Sequence, residues 1–243
     1  MTPRTLLDLG RVSNLPTVWT NVLAGAVLSR GFLEATSVVS LAAAASLLYV
    51  GGMFLNDGFD RHFDARLRPE RPIPEGRASA GQVFGIGFAL LAGGVMLVGL
   101  VARLRGPALE AGSFNWSPVA WACALAALIV FYDAFHKGTP LSAVVMGLCR
   151  AVLYLMAAAT LGTLTIEAGF GALLLLLYVV GLTAVARKEA TVPRLRGLVG
   201  RLIAGVCLLD ALLIAFMGLP ALAVLAALGF PLTLAGQRSV KGT

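Results

Sequence analysis

The sequence predicts an all-α, polytopic membrane protein, and three observations carry that prediction. Of its 243 residues, 58% are hydrophobic and only 13% charged, with a mean hydropathy of +0.88. Soluble domains run nearer ~45–50% apolar and about 25% charged. Apolar segments long enough to cross a bilayer, about 20 residues each, recur along the chain. The basic residues are sorted between alternate connections, as membrane topology requires. In a soluble protein, the net charge of +7 would point to nucleic acid. Here it reports topology, so no nucleic-acid partner is expected.

Taken in order, Met1–Gly10 is short and polar-leaning, so no cleavable leader is expected and the first apolar segment reads as a retained helix. Eight spans follow, at roughly 14–30, 36–55, 80–102, 116–133, 141–162, 166–186, 199–217 and 219–236. The last two are joined by a tight Gly218-Leu219-Pro220 turn, and 219–236 alternatively lies partly in the interface. The 28 glycines, with many alanines, let helices approach closely. Cys123, Cys149 and Cys207 stand alone in apolar segments, which indicates neither a zinc site nor a disulfide framework. No repeat, linker or low-complexity stretch marks a second domain, so residues 1–243 read as one.

With the N-terminus placed in the cytoplasm, the connections on that side carry all but four of the basic residues. The opposite side holds Arg30, Arg103 and Arg105, and Arg150 lies inside a span. Both termini and the segment after residue 55 are therefore expected to be cytoplasmic.

That segment is the main block of charge in the chain: Asn56-Asp57-Gly58-Phe59-Asp60-Arg61-His62-Phe63-Asp64, then Arg71-Pro72-Ile73-Pro74-Glu75-Gly76-Arg77. On a helix, Asn56, Asp60 and Asp64 fall within an arc of roughly 80°, with Asp57 at its edge. Ionised carboxylates crowded on one face repel one another, and a hard divalent cation relieves that. Mg²⁺ typically takes one or two carboxylates plus substrate phosphates. The arginines that follow suit phosphate oxygens, which a planar guanidinium binds bidentately. A solvated loop of five acids balanced by five arginines is the plain alternative.

Asn-x-x-x-Asp-x-x-x-Asp, then Arg-Pro-x-Pro-x-Gly-Arg, after two apolar segments, resembles the first motif of the UbiA superfamily of intramembrane prenyltransferases. The resemblance spans residues 10 to 236 and implies a helical bundle around a central cavity. It assigns Asn56, Asp60 and Asp64, with Asp57 assisting, to a Mg²⁺–diphosphate site, and Arg71 and Arg77 to the substrate's charge. Tyr132-Asp133-Ala134-Phe135-His136-Lys137 is similar to the family's Tyr-x-x-x-x-Lys element, which implies that Tyr132 and Lys137 face the diphosphate; an interfacial Tyr/Lys anchor is the alternative. Asp133 and His136 are additions to that pattern. Arg11-Val12-Ser13-Asn14, continuing to Asn21, resembles the entry to the first helix, which helps line the acceptor pocket. Asn14 and Asn21 share a helix face and could bind an acceptor, or a neighbouring helix more readily.

Arg150 is too deep in its span for easy snorkelling, so it faces substrate or a buried carboxylate such as Asp210. After the sixth span the chain departs from the family. Where a second acidic motif normally holds another Mg²⁺, it reads Thr183-Ala184-Val185-Ala186-Arg187-Lys188-Glu189. Arg187 could neutralise diphosphate in place of that metal, or the site has lost the standard reaction. The pattern has a weak similarity to the EboC-like branch of the superfamily. The family usually has nine helices; eight fit here, so the last is expected to be missing.

The resemblance thus implies Mg²⁺-dependent transfer of a prenyl group from a polyprenyl diphosphate to a lipophilic, aromatic or other, acceptor among membrane lipids. The alternative is a non-catalytic or transport-related relative that binds an isoprenoid without transferring it.

Overall fold

The computed structural model describes residues 1–105, 114–136, 139, 141–189, 192 and 197–240. Among these the regular structure is entirely helical. A short helix, α1 (Pro3–Gly10), comes first. Thr2 caps it, its hydroxyl accepting from the Thr5 amide at 3.2 Å, and Pro3 sits where no intrahelical donor is lost. It stops at Arg11, whose φ of 43° is left-handed, and one 3₁₀ turn (Val12–Asn14) leads into α2 (Leu15–Leu28).

The remaining helices are α3 (Ala35–Leu67), α4 (Ala80–Arg105), α5 (Ser117–Phe135), α6 (Ser142–Leu161), α7 (Ile166–Glu189), α8 (Leu198–Phe216), α9 (Pro220–Ala227) and α10 (Gly229–Ser239). Seven segments, from α3 to the α9–α10 pair, are long and apolar enough to cross a membrane. Large apolar side chains such as Met96, Phe216 and Ile166 point outward, 70%, 87% and 87% exposed, as a lipid-facing surface requires.

The expected first span, 14–30, differs. α2 has 14 residues, about 21 Å at 1.5 Å per residue, short of a bilayer core of about 30 Å. It need not meet lipid over that thickness, because α3, α6, α7, α8 and α10 pack around it and bury most of its residues. Gly25 lets α6 approach: a Cβ there would stand 2.8 Å from the Tyr154 carbonyl oxygen. The expected final span is broken in two. Pro231 has no N–H to give Ala227, and its ring crowds that carbonyl, so α9 ends at Ala227 and α10 restarts at Gly229.

α3 places the candidate site. Its 33 residues span about 50 Å, some 20 Å more than the bilayer core. The helix runs past the expected boundary at residue 55 because nothing in 56–67 breaks it. It stops where Pro69 disfavours the helical conformation for Arg68. Its last three turns therefore emerge at one end of the bundle carrying the acidic block. The segment after it folds back through Ala78 N–H to Pro72 O at 3.2 Å, turning at Gly76, whose φ of 81° is open to glycine. Ile73 and Ala78 pack with Leu9, Phe54 and Val83, which fastens this loop to α1, α3 and α4. The other end of the bundle is closed by Arg105, donating to the Phe32 and Leu161 carbonyls at 3.0 and 2.9 Å, and by the 2.5 Å Arg30–Glu167 pair.

Candidate active site

Asp57 is the centre of the site. It is 3% exposed, and its Oδ1 accepts from Arg11 at 2.9 Å and lies 3.5 Å from Arg71. The left-handed turn at Arg11 delivers one guanidinium from the N-terminal side, and the folded 68–79 loop delivers the other. Arg11 also donates to Asn56 Oδ1 at 3.1 Å, and Asn56 Nδ2 donates to Asp133 Oδ1 on α5 at 3.1 Å. Asp60, one turn along α3, has its Oδ2 3.6 Å from His136 Nε2, which is an ion pair rather than a hydrogen bond. That carboxylate favours the protonated ring and raises the His136 pKa above its ordinary value. His136 stacks on Tyr132, with ring centroids 4.9 Å apart. Asp64 is also 3% exposed.

Three carboxylate oxygens in this group, Asp57 Oδ2, Asp64 Oδ1 and Asp133 Oδ2, are buried without a hydrogen-bond partner. An unsatisfied buried polar atom costs roughly 1–3 kcal/mol, more when charged, so three together are an unusual expense for one end of a bundle. Hard oxygen donors with spare lone pairs fit Mg²⁺. Among the described residues, however, no three carboxylate, histidine or cysteine side chains converge closely enough to hold a metal by themselves. The arrangement fits an ion that takes one or two protein oxygens and completes its shell from phosphate and water, not a protein-only cage.

A cavity of about 220 Å³ runs inward from this cluster between α2, α3, α5, α6, α7 and α8. Arg11, Tyr132 and Asp133 line its polar mouth, and Leu48, Leu125 and Leu153 are among its apolar walls. Charge at one end and hydrocarbon beyond it are what an amphiphilic diphosphate would meet.

The other predicted residues are distributed as follows. Arg77 bonds Glu75 at 2.6 Å and Asp8 at 3.2 Å, tying the loop to α1 and turning its guanidinium to these two acids. Asn14 lines the cavity and accepts from Gln237 Nε2 at 3.1 Å. Asn21 bonds Arg150 at 2.7 Å and Asp210 at 2.8 Å. The expected contact of Arg150 with Asp210 is therefore bridged by Asn21 and not direct. Arg187 reaches the Thr139 carbonyl at 3.2 Å and Ser142 Oγ at 2.6 Å, on the α5–α6 connection. Glu189 ends α7, but its side chain lies outside the described residues, as does Lys137.

Asp133 was not among the expected site residues, although it forms the hydrogen bond that joins α5 to Asn56. The available signal was an acid one residue after the Tyr132 of a known element, in a span otherwise without charge. Tyr49 was missed for lack of any signal: a single tyrosine in an apolar helix is ordinary.

A family model described as the UbiA prenyltransferase family matches residues 17–237. Among curated proteins, the chain is 32% identical over 139 residues to the digeranylgeranylglyceryl phosphate synthase of Methanothrix thermoacetophila, covering 57% of this chain and 47% of that one. The protein of the same name from Ignicoccus hospitalis is 36% identical over 138 residues, covering 57% and 41%. That from Haloquadratum walsbyi is 29% identical over 196 residues, covering 77% and 60%. The chain thus matches about half the length of these relatives. A solved structure from work on digeranylgeranylglyceryl phosphate synthase in membranes shares the fold, with a TM-score of 0.62 at 18% identity over 97% of this chain and 94% of that one.

Proposed function

Because the chain belongs to the UbiA prenyltransferase family, we propose that it transfers a prenyl group from a polyprenyl diphosphate to a lipophilic acceptor within the membrane. The observation that carries the proposal is that buried carboxylate oxygens without hydrogen-bond partners lie beside Arg11 and Arg71 at the mouth of a cavity walled mainly by apolar side chains. Asn56, Asp60 and Asp64, with Asp57 assisting, are the set from which one or two protein oxygens would hold Mg²⁺, which neutralises charge on the leaving diphosphate when bound.

The residues of the chain do the rest. Arg11 and Arg71 are fixed on Asp57 and present their remaining N–H groups to phosphate oxygens, with Lys137 assigned to the same charge. Arg187 and Glu189 stand where the family carries its second acidic motif, and Arg187 supplies positive charge there. The C–O bond to diphosphate breaks with its electron pair leaving on oxygen. The allylic cation so formed lies in a cavity whose apolar walls exclude water; the acceptor's nucleophile captures it, and the proton it gives up passes to the released diphosphate. The tail extends along the cavity between helices toward lipid. The excess of basic residues at the motif end supports a cytoplasmic orientation of that end and of both termini.

Release of diphosphate from geranyl, farnesyl and geranylgeranyl diphosphates, with and without Mg²⁺ and with a membrane-lipid extract as acceptor, tests this. Mg²⁺-dependent release that is abolished in Asp60→Ala is expected. Full activity in Asp60→Ala would sink the metal assignment. Arg187 and Glu189 in place of the second acidic motif favour a second reading, an isoprenoid-binding protein without turnover. Binding of the diphosphates with no release across the panel would establish it instead.

A further inference from the structure

We propose that Arg150 is the recognition group for an anionic group, carboxylate or phosphate, carried by the acceptor. As an acceptor subsite this rests on the prenyl-transfer reading. As an anion site it rests on geometry alone.

A guanidinium in the apolar part of a membrane bundle is costly and is retained where it faces a cavity or a partner. Arg150 has both. Toward the protein it donates to Asn21 Oδ1 at 2.7 Å and to Thr17 Oγ1 at 3.0 Å. Asn21 donates in turn to Asp210 at 2.8 Å, and the other oxygen of that carboxylate accepts from the Tyr154 hydroxyl. Asp210 and Tyr154 are fully buried. This chain balances the charge of Arg150 without consuming the guanidinium, because Asn21 stands where a direct carboxylate would have occupied the fork.

Two of the five guanidinium N–H groups are used. The other three have no protein partner among the described residues, and the side chain lines the cavity. The guanidinium carbon lies over the Tyr49 ring, 5.9 Å from its centroid, a cation–π contact that steadies it at that wall. Met146, Cys149, Leu153 and Val179, which line the same cavity, offer it no counter-charge. Tyr49 is seven residues before Asn56 on α3, so Arg150 lies about 10 Å deeper than the diphosphate end. A planar fork with spare donors, braced from behind and set apart from the diphosphate end, matches a bidentate oxyanion. A hydrocarbon tail would use only the walls.

The test uses the full chain in detergent without Mg²⁺ or prenyl diphosphate, so that it can fail or succeed independently of turnover. Affinities of phenyl phosphate, benzoate, inorganic phosphate and uncharged benzyl alcohol are read from shifts in the unfolding midpoint. Phenyl phosphate and benzoate should bind, inorganic phosphate more weakly, and benzyl alcohol least. Arg150→Gln should weaken the two aromatic anions at least about tenfold, the scale of a lost charge-assisted pair. Arg4→Gln, at an exposed guanidinium outside the cavity, should leave them within about twofold. Arg150→Lys keeps the charge without the fork and should weaken them about fivefold, which keeps the proposal exposed if Arg150→Gln fails to fold. It is overturned by affinity unchanged in the folded Arg150 variants, by affinity lost on Arg71→Gln instead, or by benzyl alcohol binding as well as benzoate. Inorganic phosphate binding as tightly as phenyl phosphate would also overturn it, as a site for the free ion.

Discussion

Replacing Asp57 by alanine separates two kinds of acid on the same helix. Asp57 is 3% exposed and joins Arg11 at 2.9 Å and Arg71 at 3.5 Å, while those arginines are 15% and 16% exposed. Removing the carboxylate leaves two guanidinium groups facing each other without the charge between them. Truncating one partner of a fully buried ion pair costs about 3–5 kcal/mol. The two arginines keep some access to solvent and the variant also removes the orphaned Oδ2, so about 2–3 kcal/mol is the fitting magnitude here. For a chain of this size that lowers the unfolding midpoint by roughly 4–12 °C. Asp60 is 13% exposed and meets His136 at 3.6 Å, a longer contact than the 2.9 Å pair of Asp57 with Arg11, so Asp60→Ala should shift the midpoint less than Asp57→Ala does. The assay is thermal unfolding of purified protein in one detergent without Mg²⁺, for Asp57→Ala, Asp60→Ala, Arg11→Ala and the Asp57→Ala/Arg11→Ala pair. The double variant should be more stable than the sum of the singles by at least about 1 kcal/mol. Additive singles, or an Asp57→Ala midpoint equal to wild type, would refute the view that Asp57 organises the site.

Other expectations follow from the same contacts. Asp210→Ala should cost about 3–5 kcal/mol, since it strands the Tyr154 hydroxyl, the Asn21 amide and the charge of Arg150, and the unfolding midpoint reports it. His136 has a raised pKa when folded, so its contribution is complete below the unfolded value of about 6.5. That contribution is lost as pH rises through the folded value. Metal-free midpoints scanned from about pH 6 to 9 should fall in that window, and His136→Gln should remove the slope. In the α3–α4 contact, a Cβ on Gly51 would stand 2.9 Å from the Gly87 carbonyl oxygen, so Gly51→Val should cost about 1–3 kcal/mol. Gly85→Ala, with nothing within 4 Å of the added carbon, should be neutral or stabilising by up to about 1 kcal/mol in the same unfolding assay.

The membrane class, seven of the eight expected spans and the acidic block were legible along the chain. Each is a local property: hydropathy over about 20 residues, or oxygen-bearing side chains repeating every four residues on one helix. The same locality misjudged α2, since length alone could not say that neighbouring helices, not lipid, surround its 14 residues. Composition could mark Arg150 and Asp210 as expensive charges in apolar spans, but it could not place Asn21 between them. That arrangement needs α2, α6 and α8 brought to one level. The choice of Asp57 over Asp60 as the organising acid was likewise decided only in three dimensions. One arginine reaches it from a left-handed turn before α2 and the other from a loop folded over α1. Asp133 joins the site because the end of α5 packs beside α3. Sequence spacing records which residues share a face of their own helix, whereas the partner across the gap is set by how the helices pack.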